Sequence, residues 1–255
     1  MTMNKKLSYA VFRFYEDLND FLSPQRRKIA FTHHFKGRVS VKDLIESLGV
    51  PHTEIDLILA NGKSVDFTYH VQHEDHINVY PMLEKLGIAG LSKIRLEPLT
   101  TIMFVVDIHL GKLVKYLRML GFDALYDTNS SDSELALISS SEKRILLTRD
   151  RGLLMRRLVD YGHFVRQTQP LKQLQEVIQW LDLKPLIKPF YRCMRCNGLL
   201  TEVNKNEIED RLLAKTKLHY HEFKQCTDCK HVYWKGSHYQ RMQRLIEKVI
   251  DESKP

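Results

Sequence analysis

The sequence has no run approaching the roughly 18 consecutive apolar residues that a membrane-spanning helix needs. Its first eight residues, Met1-Thr2-Met3-Asn4-Lys5-Lys6-Leu7-Ser8, also lack the apolar stretch of a signal peptide. A membrane span and secretion are therefore not expected, and the chain reads as soluble and cytoplasmic. Cysteine is missing until Cys193. The four that follow form two C-x-x-C pairs, which in an intracellular chain point to a metal rather than to disulfides. A free C-terminal Gly-Gly is missing from the N-terminal module as well, since that segment runs on into Pro81-Met82-Leu83.

Acidic surplus is also missing. Lys and Arg number 39 against 31 Asp and Glu, a net charge of +8. Residues 1–100 carry 13 basic and 12 acidic side chains, residues 101–187 carry 12 and 10, and residues 188–255 carry 14 and 9. The excess therefore sits at the C-terminal end, where a basic patch suits nucleic-acid phosphate. A solvated basic surface without a partner is the plainer alternative. At 255 residues, with 43% hydrophobic and 27% charged side chains, the chain is an ordinary globular protein of one large or two to three small domains.

Residues 1–81 read as a small α+β module. Tyr9–Tyr15 and Ile29–Phe35 alternate as strands do and predict a hairpin with a long loop. Ser40 is a good N-cap, Val41, Leu44, Ile45 and Leu48 share a helical face, and Gly49 stops the helix. Ile55–Ala60 runs into Asn61-Gly62, a hairpin turn, and Asp75–Pro81 supplies the last strand. This β-β-α-β-β order resembles the ubiquitin-like β-grasp fold. The missing Gly-Gly argues against sulfur-carrier or modifier chemistry, which leaves a binding or regulatory appendage open to a protein partner. The histidines His33, His34, His52, His70, His73 and His76 show no ligand spacing and read as surface or locally satisfied groups. Residues 82–100 are expected to be a linker.

Residues 101–187 alternate strands and helices, which predicts βαβ units and a parallel sheet. Ile102–Val106 is a buried strand ending at Asp107, and Arg144–Thr148 is another ending at Asp150. Parallel strands present their carboxyl ends on one edge, where ligands bind. Asp132, with Glu134 behind it, opens a helix from the same edge. Carboxylates converging there need a cation, and Mg²⁺ or Mn²⁺ would leave coordination sites open for phosphate. Each residue also has a structural reading. Asp132 can be an N-cap, Glu134 can complement the helix dipole, and Arg149 can pair with Asp150 instead of touching a scissile phosphate. Asp123 and Asp127 are expected to face solvent.

Residues 188–255 contain Cys193-Met194-Arg195-Cys196 and Cys226-Thr227-Asp228-Cys229, four thiolates suited to a closed tetrahedral Zn²⁺ site. The 29 residues between the pairs predict an insertion over 204–220. Beyond them, Lys230, Tyr233, Trp234, Lys235 and His238 mix aromatic and basic groups that can stack bases and hold phosphate. Trp234 packing the small ribbon core is the alternative. Gln240–Glu252 reads as a terminal amphipathic helix.

The residues Asp107…Leu110-Gly111-Lys112-Leu113, Leu117-Arg118-Met119-Leu120-Gly121-Phe122-Asp123, Asp132-Ser133-Glu134-Leu135 and Arg144–Asp150 together resemble the Mut-seven C-terminal ribonuclease family. The Tyr233-Trp234…Gly236-Ser237-His238 run extends the resemblance. It implies a PIN-like nuclease domain followed by a zinc ribbon and preceded by a ubiquitin-like domain. It further implies a hydrolase acting on RNA, with Asp107, Asp132 and Asp150 as metal-binding carboxylates and Glu134 as the nearest further acid. A non-catalytic RNA-binding adaptor with a vestigial acidic cleft is the alternative.

Overall fold

The computed structural model describes residues 7–81, 93–94, 99 and 101–252. The linker expected over 82–100 therefore lies almost entirely outside the described residues. The chain forms two compact units, one of residues 1–100 with Asp150–Phe164 and one of Thr101–Arg149 with Val165–Pro255.

The first unit is built on five strands in the order β2-β1-β5-β3-β4. Strand β1 (Leu7–Phe14) pairs antiparallel with β2 (Phe31–Lys36) and parallel with β5 (His76–Tyr80). Helix α1 (Val41–Ser47) starts where Ser40 Oγ accepts from the Asp43 amide, and Gly49 ends it at φ +95°. Strands β3 (Leu57–Ala60) and β4 (Lys63–Val65) flank Asn61 and Gly62, both at positive φ, as a tight hairpin turn requires. Three strands follow the helix, two from the hairpin and β5 as the last. Phe12, Phe14, Leu18, Ile45, Ile55, Ile58, Ile77 and Val79 form the core. Each such side chain contributes about 1.5–3 kcal/mol on burial.

The second unit begins with β6 (Met103–Val106), α2 (Gly111–Met119), β7 (Asp123–Leu125), α3 (Asp132–Ser141) and β8 (Ile145–Thr148). Strand β6 lies between β7 and β8, parallel to both, with Phe104 opposite Ala124 and Ile145. All four residues of β8 are buried, which explains its continuous apolar run. Leu113, Val114 and Leu117 of α2 and Leu174, Val177 and Ile178 of α5 (Pro170–Trp180) are buried, and the two helices pack together.

Between β8 and α5 lie α4 (Arg151–Leu154) and β9 (Gly162–Phe164), within the Asp150–Phe164 segment of the first unit. Helix α4 is only four residues long. The second unit closes the base of this excursion itself. The Val165 amide donates to Thr148 O at 2.8 Å. Arg149 Nη1 donates to the carbonyls of Val165, Arg166 and Gln167 at 2.7, 2.8 and 2.8 Å.

The ribbon continues the second unit as a three-stranded antiparallel sheet, β10 (Leu200–Val203), β11 (Phe223–Cys226) and β12 (Val232–Trp234). The insertion between the cysteine pairs holds α6 (Ala214–His219), and its Ile208 and Leu212 pack with Phe223 of β11 and Val232 of β12 in a small core. Helix α7 (Ser237–Glu252) buries Ile246 and Val249, and Tyr239 stacks near Phe190 at 4.3 Å between ring centroids.

Candidate active site and metal centre

Asp107 follows β6 directly and its side chain is buried. Its amide donates to Leu147 O at 3.0 Å, which extends the β6–β8 pairing by one residue. Its Oδ2 accepts from Thr148 Oγ1 at 2.6 Å. A carboxylate out of water needs such a donor, because desolvation disfavours the charged form. Thr148, fully buried at the tip of β8, is that donor. Sequence reading passed over Thr148 in favour of the acid two residues on, although its place at a strand end was a signal.

Asp132 is exposed at the first position of α3. The cap there belongs to Ser131, whose Oγ accepts from the Glu134 amide, so the N-cap alternative for Asp132 is corrected. Glu134 completes the capping box. Its Oε2 accepts from the Ser131 amide at 2.7 Å and from Ser131 Oγ at 2.8 Å. The amide, followed by the hydroxyl, holds this carboxyl below its usual range. Asp150 is exposed, and its Oδ1 accepts from the amides of Gly152 and Leu153 at 2.7 and 3.4 Å, capping α4. Arg149 spends its Nη1 on the three carbonyls described above.

Asp123 does not face solvent as expected. One oxygen accepts from Arg144 Nη1 at 2.7 Å and Asn197 Nδ2 at 2.8 Å, and the other lies 3.0 Å from Arg192 Nη2. Burial alone would raise this carboxyl, but the Arg144 and Asn197 hydrogen bonds and the two guanidinium charges outweigh it and leave it lowered. Asn197 and Arg192 belong to the ribbon, so Asp123 ties the parallel sheet to the first cysteine turn.

Among the described residues, the four cysteines are the group of metal-ligating side chains whose ligand atoms all lie within 4.8 Å of one another. Asp107, Asp132 and Asp150 do not appear in such a group. Cys193 and Cys229 sulfurs are 3.6 Å apart, and those of Cys196 and Cys226 are 3.3 Å apart. A tetrahedral Zn²⁺ with bonds of about 2.3 Å places its sulfurs about 3.8 Å apart, so the donor set and spacing fit that ion. The two turns match. Cys193 N donates to Gly198 O at 2.7 Å and Cys226 N donates to His231 O at 2.9 Å. Asn197 and Lys230, just after each pair, both take positive φ. Burial pushes the Cys196 thiol up, yet the Gly198 amide and the neighbouring sulfurs bring it down to about 7. The Cys226 thiol is pushed up to about 12, chiefly by burial.

Two further groups support the centre. Tyr233, half-buried, places its hydroxyl 3.1 Å from Cys193 Sγ, and burial with that contact raises its phenol. Its hydroxyl thus supports the cysteine site, while the residue also lines the groove described below. Arg118, buried on α2, donates through Nε to Ala124 O and through Nη1 to Arg195 O at 3.0 Å and Met194 O at 3.4 Å. The carbonyls inside the first C-x-x-C are thus held by a helix that follows the central strand of the parallel sheet. Gly198 is required nearby, since a Cβ there would meet Asp228 Oδ2 at 2.5 Å and Cys226 Sγ at 2.9 Å.

A groove of 1490 Å³ runs along the ribbon and the start of α7. Lys115, Arg192, Arg195, Lys205, Lys224 and Lys235 line it with Tyr220, Trp234 and Tyr239, against the acids Glu202, Glu207 and Glu222. Trp234 is 37% exposed and lies 6.4 Å from Tyr220 between ring centroids, so it does not fill the ribbon core. Lys235 Nζ is 2.6 Å from Glu222, and His238 is exposed at the start of α7. Lys230, exposed outside this lining, donates to Thr227 O at 2.7 Å.

No helix among the described residues is long and apolar enough to cross a membrane. No curated protein and no solved structure gives a significant match to the chain. The family model for the Mut7-C ubiquitin domain matches residues 7–87, the β-grasp module. That for the Mut7-C RNAse domain matches residues 102–246, spanning the parallel sheet, Asp107, the cysteine centre and most of α7. The chain therefore belongs to the Mut7-C RNAse domain family, a ribonuclease kind of enzyme with a ubiquitin-like domain in front.

Proposed function

We propose that the protein hydrolyses RNA phosphodiester bonds with Mg²⁺ or Mn²⁺ held by Asp107, Asp132 and Asp150, while the zinc-loaded ribbon holds the strand. The observation that carries this reading is Asp107. It is a buried carboxylate at the carboxyl end of a parallel strand, within a segment that matches a ribonuclease family. Carboxylates are the donor type that Mg²⁺ and Mn²⁺ take. Such an ion polarises the phosphoryl group and makes a bound water a stronger nucleophile. Thr148 orients Asp107 through its hydroxyl. Glu134 serves first as the cap of α3, and Arg149 as the tie at the base of the Asp150 segment.

The basic and aromatic ribbon groove supports the RNA role. Lysines and arginines neutralise backbone phosphate, and exposed Trp234 with half-buried Tyr220 offers ring faces on which bases stack. The chain is placed in the cytoplasm on the same reading, and the ubiquitin-like domain leaves room for a protein partner. The test is cleavage of a mixed RNA pool with Mg²⁺ or Mn²⁺ by the full chain and by Asp107→Asn with Asp150→Asn. The double variant should retain RNA binding and lose hydrolysis. Cleavage at the parent rate would exclude the acidic site. Salt-sensitive binding without divalent-dependent cleavage by either protein would favour the adaptor reading.

A further inference from the structure

One segment matched by the ribonuclease family model, Asp150–Phe164, belongs to the same compact unit as the ubiquitin-like module. Asp150 opens that segment, and the very next residue is bound by the module. Arg151 Nη1 donates to Phe21 O at 3.1 Å, and its guanidinium lies 5.1 Å from the Phe21 ring and 5.7 Å from that of Phe164. Phe21 and Phe164 meet edge to face at 5.4 Å. Farther along, the Phe164 amide donates to Glu54 Oε1 at 2.6 Å, and His163 Nδ1 lies 3.3 Å from the same oxygen. His52 reaches Val159 O through Nε2 at 2.8 Å and Glu46 through Nδ1 at 2.6 Å. Both are donations when the ring carries both its protons.

Three of these side chains, His52, Glu54 and His163, are buried polar groups. Burying such groups costs free energy unless each finds its partner, so the contact tolerates one registration and penalises others. The segment needs this support. Helix α4 has four residues, far below the dozen or so at which an isolated helix becomes even marginally stable. Asp150 owes its place to that turn, because its carboxylate caps the Gly152 and Leu153 amides.

We propose that the ubiquitin-like module is an intramolecular clamp on the Asp150–Phe164 segment, with His52 and Glu54 as positioning residues for Asp150. This rests on the reading of Asp150 as a metal-binding carboxylate. Glu54→Ala loosens the segment from one side, Glu54→Gln returns an acceptor to the Phe164 amide, and Arg151→Ala releases the contact from an exposed position that the module's core does not need.

The test uses the full chain with two readouts, amide hydrogen exchange over 150–164 and the kcat and KM for Mn²⁺-dependent cleavage of single-stranded RNA. Glu54→Ala and Arg151→Ala should each raise exchange over 150–164 about tenfold while β1, β3 and β5 stay protected. They should lower kcat about tenfold or more with KM nearly unchanged, because misplacing a catalytic group costs rate rather than binding, and Glu54→Gln should recover most of both. Unchanged exchange in Arg151→Ala and Glu54→Ala would overturn the clamp, as would raised exchange with kcat intact. Should Glu54→Ala unfold the module, Arg151→Ala decides. A parent chain that cleaves no RNA overturns the ribonuclease reading alone, and exchange then decides the clamp.

Discussion

Thr148 Oγ1 and Asp107 Oδ2 lie 2.6 Å apart at the neighbouring ends of β8 and β6. The hydroxyl is the donor from which this buried carboxyl accepts. Thr148→Val keeps the shape and removes the donor. Leaving a buried acceptor without its donor costs about 1–3 kcal/mol, so urea unfolding should show a loss of that order. Thr148→Ser should lose less. A Thr148→Val chain as stable as the parent would mean that Asp107 has another donor.

The cysteine centre predicts one zinc per chain by metal analysis. Cys193→Ser or Cys226→Ser should abolish it, and chelation should raise hydrogen exchange in β10–β12 while β6 and β8 keep their protection. Tyr233→Phe removes the hydroxyl beside Cys193 and leaves all four ligands. By the usual cost of losing an outer contact, zinc affinity should fall about 10–100-fold. Competition with a chromogenic chelator reads that shift. Stoichiometric retention at parental affinity would show Tyr233 to be packing only.

Acid should weaken the tie between sheet and ribbon at Asp123. Its folded pKa is lowered, so its contribution is complete above the unfolded value of about 3.9 and is lost as pH falls through the lower folded value. Thermal unfolding from pH 7 to pH 3 should therefore show Asp123→Asn less stable than the parent at pH 7, with the gap narrowing toward pH 3. A gap that stayed constant would mean that the charge of Asp123 carries nothing.

Two glycines with similar backbone separate steric cost from conformational cost. Gly62 (φ +79°) has nothing within 4 Å of a built Cβ, whereas at Gly121 (φ +95°) a Cβ would lie 2.2 Å from Lys188 O. Gly62→Ala should cost about 1–2 kcal/mol from the left-handed backbone alone. Gly121→Ala should cost clearly more, since the chain leading into the ribbon must move. Equal losses in denaturant unfolding would contradict this placement of Lys188.

Binding of single-stranded RNA through the ribbon groove should be steeply salt-dependent. Removing one phosphate-contacting lysine, by Lys224→Ala or Lys205→Ala, should reduce the slope of log K against log salt by about 0.7. Trp234→Ala should weaken binding with little change in slope, as stacking carries no counterion release. Filter binding at several salt concentrations separates the two outcomes.

What the sequence by itself determined was local. Ser40 and Gly49 mark the ends of α1, Asn61-Gly62 marks a hairpin, the unbroken apolar β8 marks an inner parallel strand, and the two C-x-x-C pairs mark one metal centre. Each depends on dihedral preferences, periodicity or ligand spacing within a few residues, and these survive in any tertiary setting. Tertiary structure alone decided the rest. Asp123 looked like a solvent-facing acid until Arg144, Arg192 and Asn197, the last 74 residues away, surrounded it. Tyr233 reads from sequence as a stacking ring, and the structure adds a hydroxyl contact to Cys193. His52 reads as one of six scattered histidines, but it holds Val159 O across 107 residues of chain. The physical reason is common to all three. A side chain's role is set by which partner satisfies it once water is excluded, and those partners arrive from distant segments that no local pattern announces.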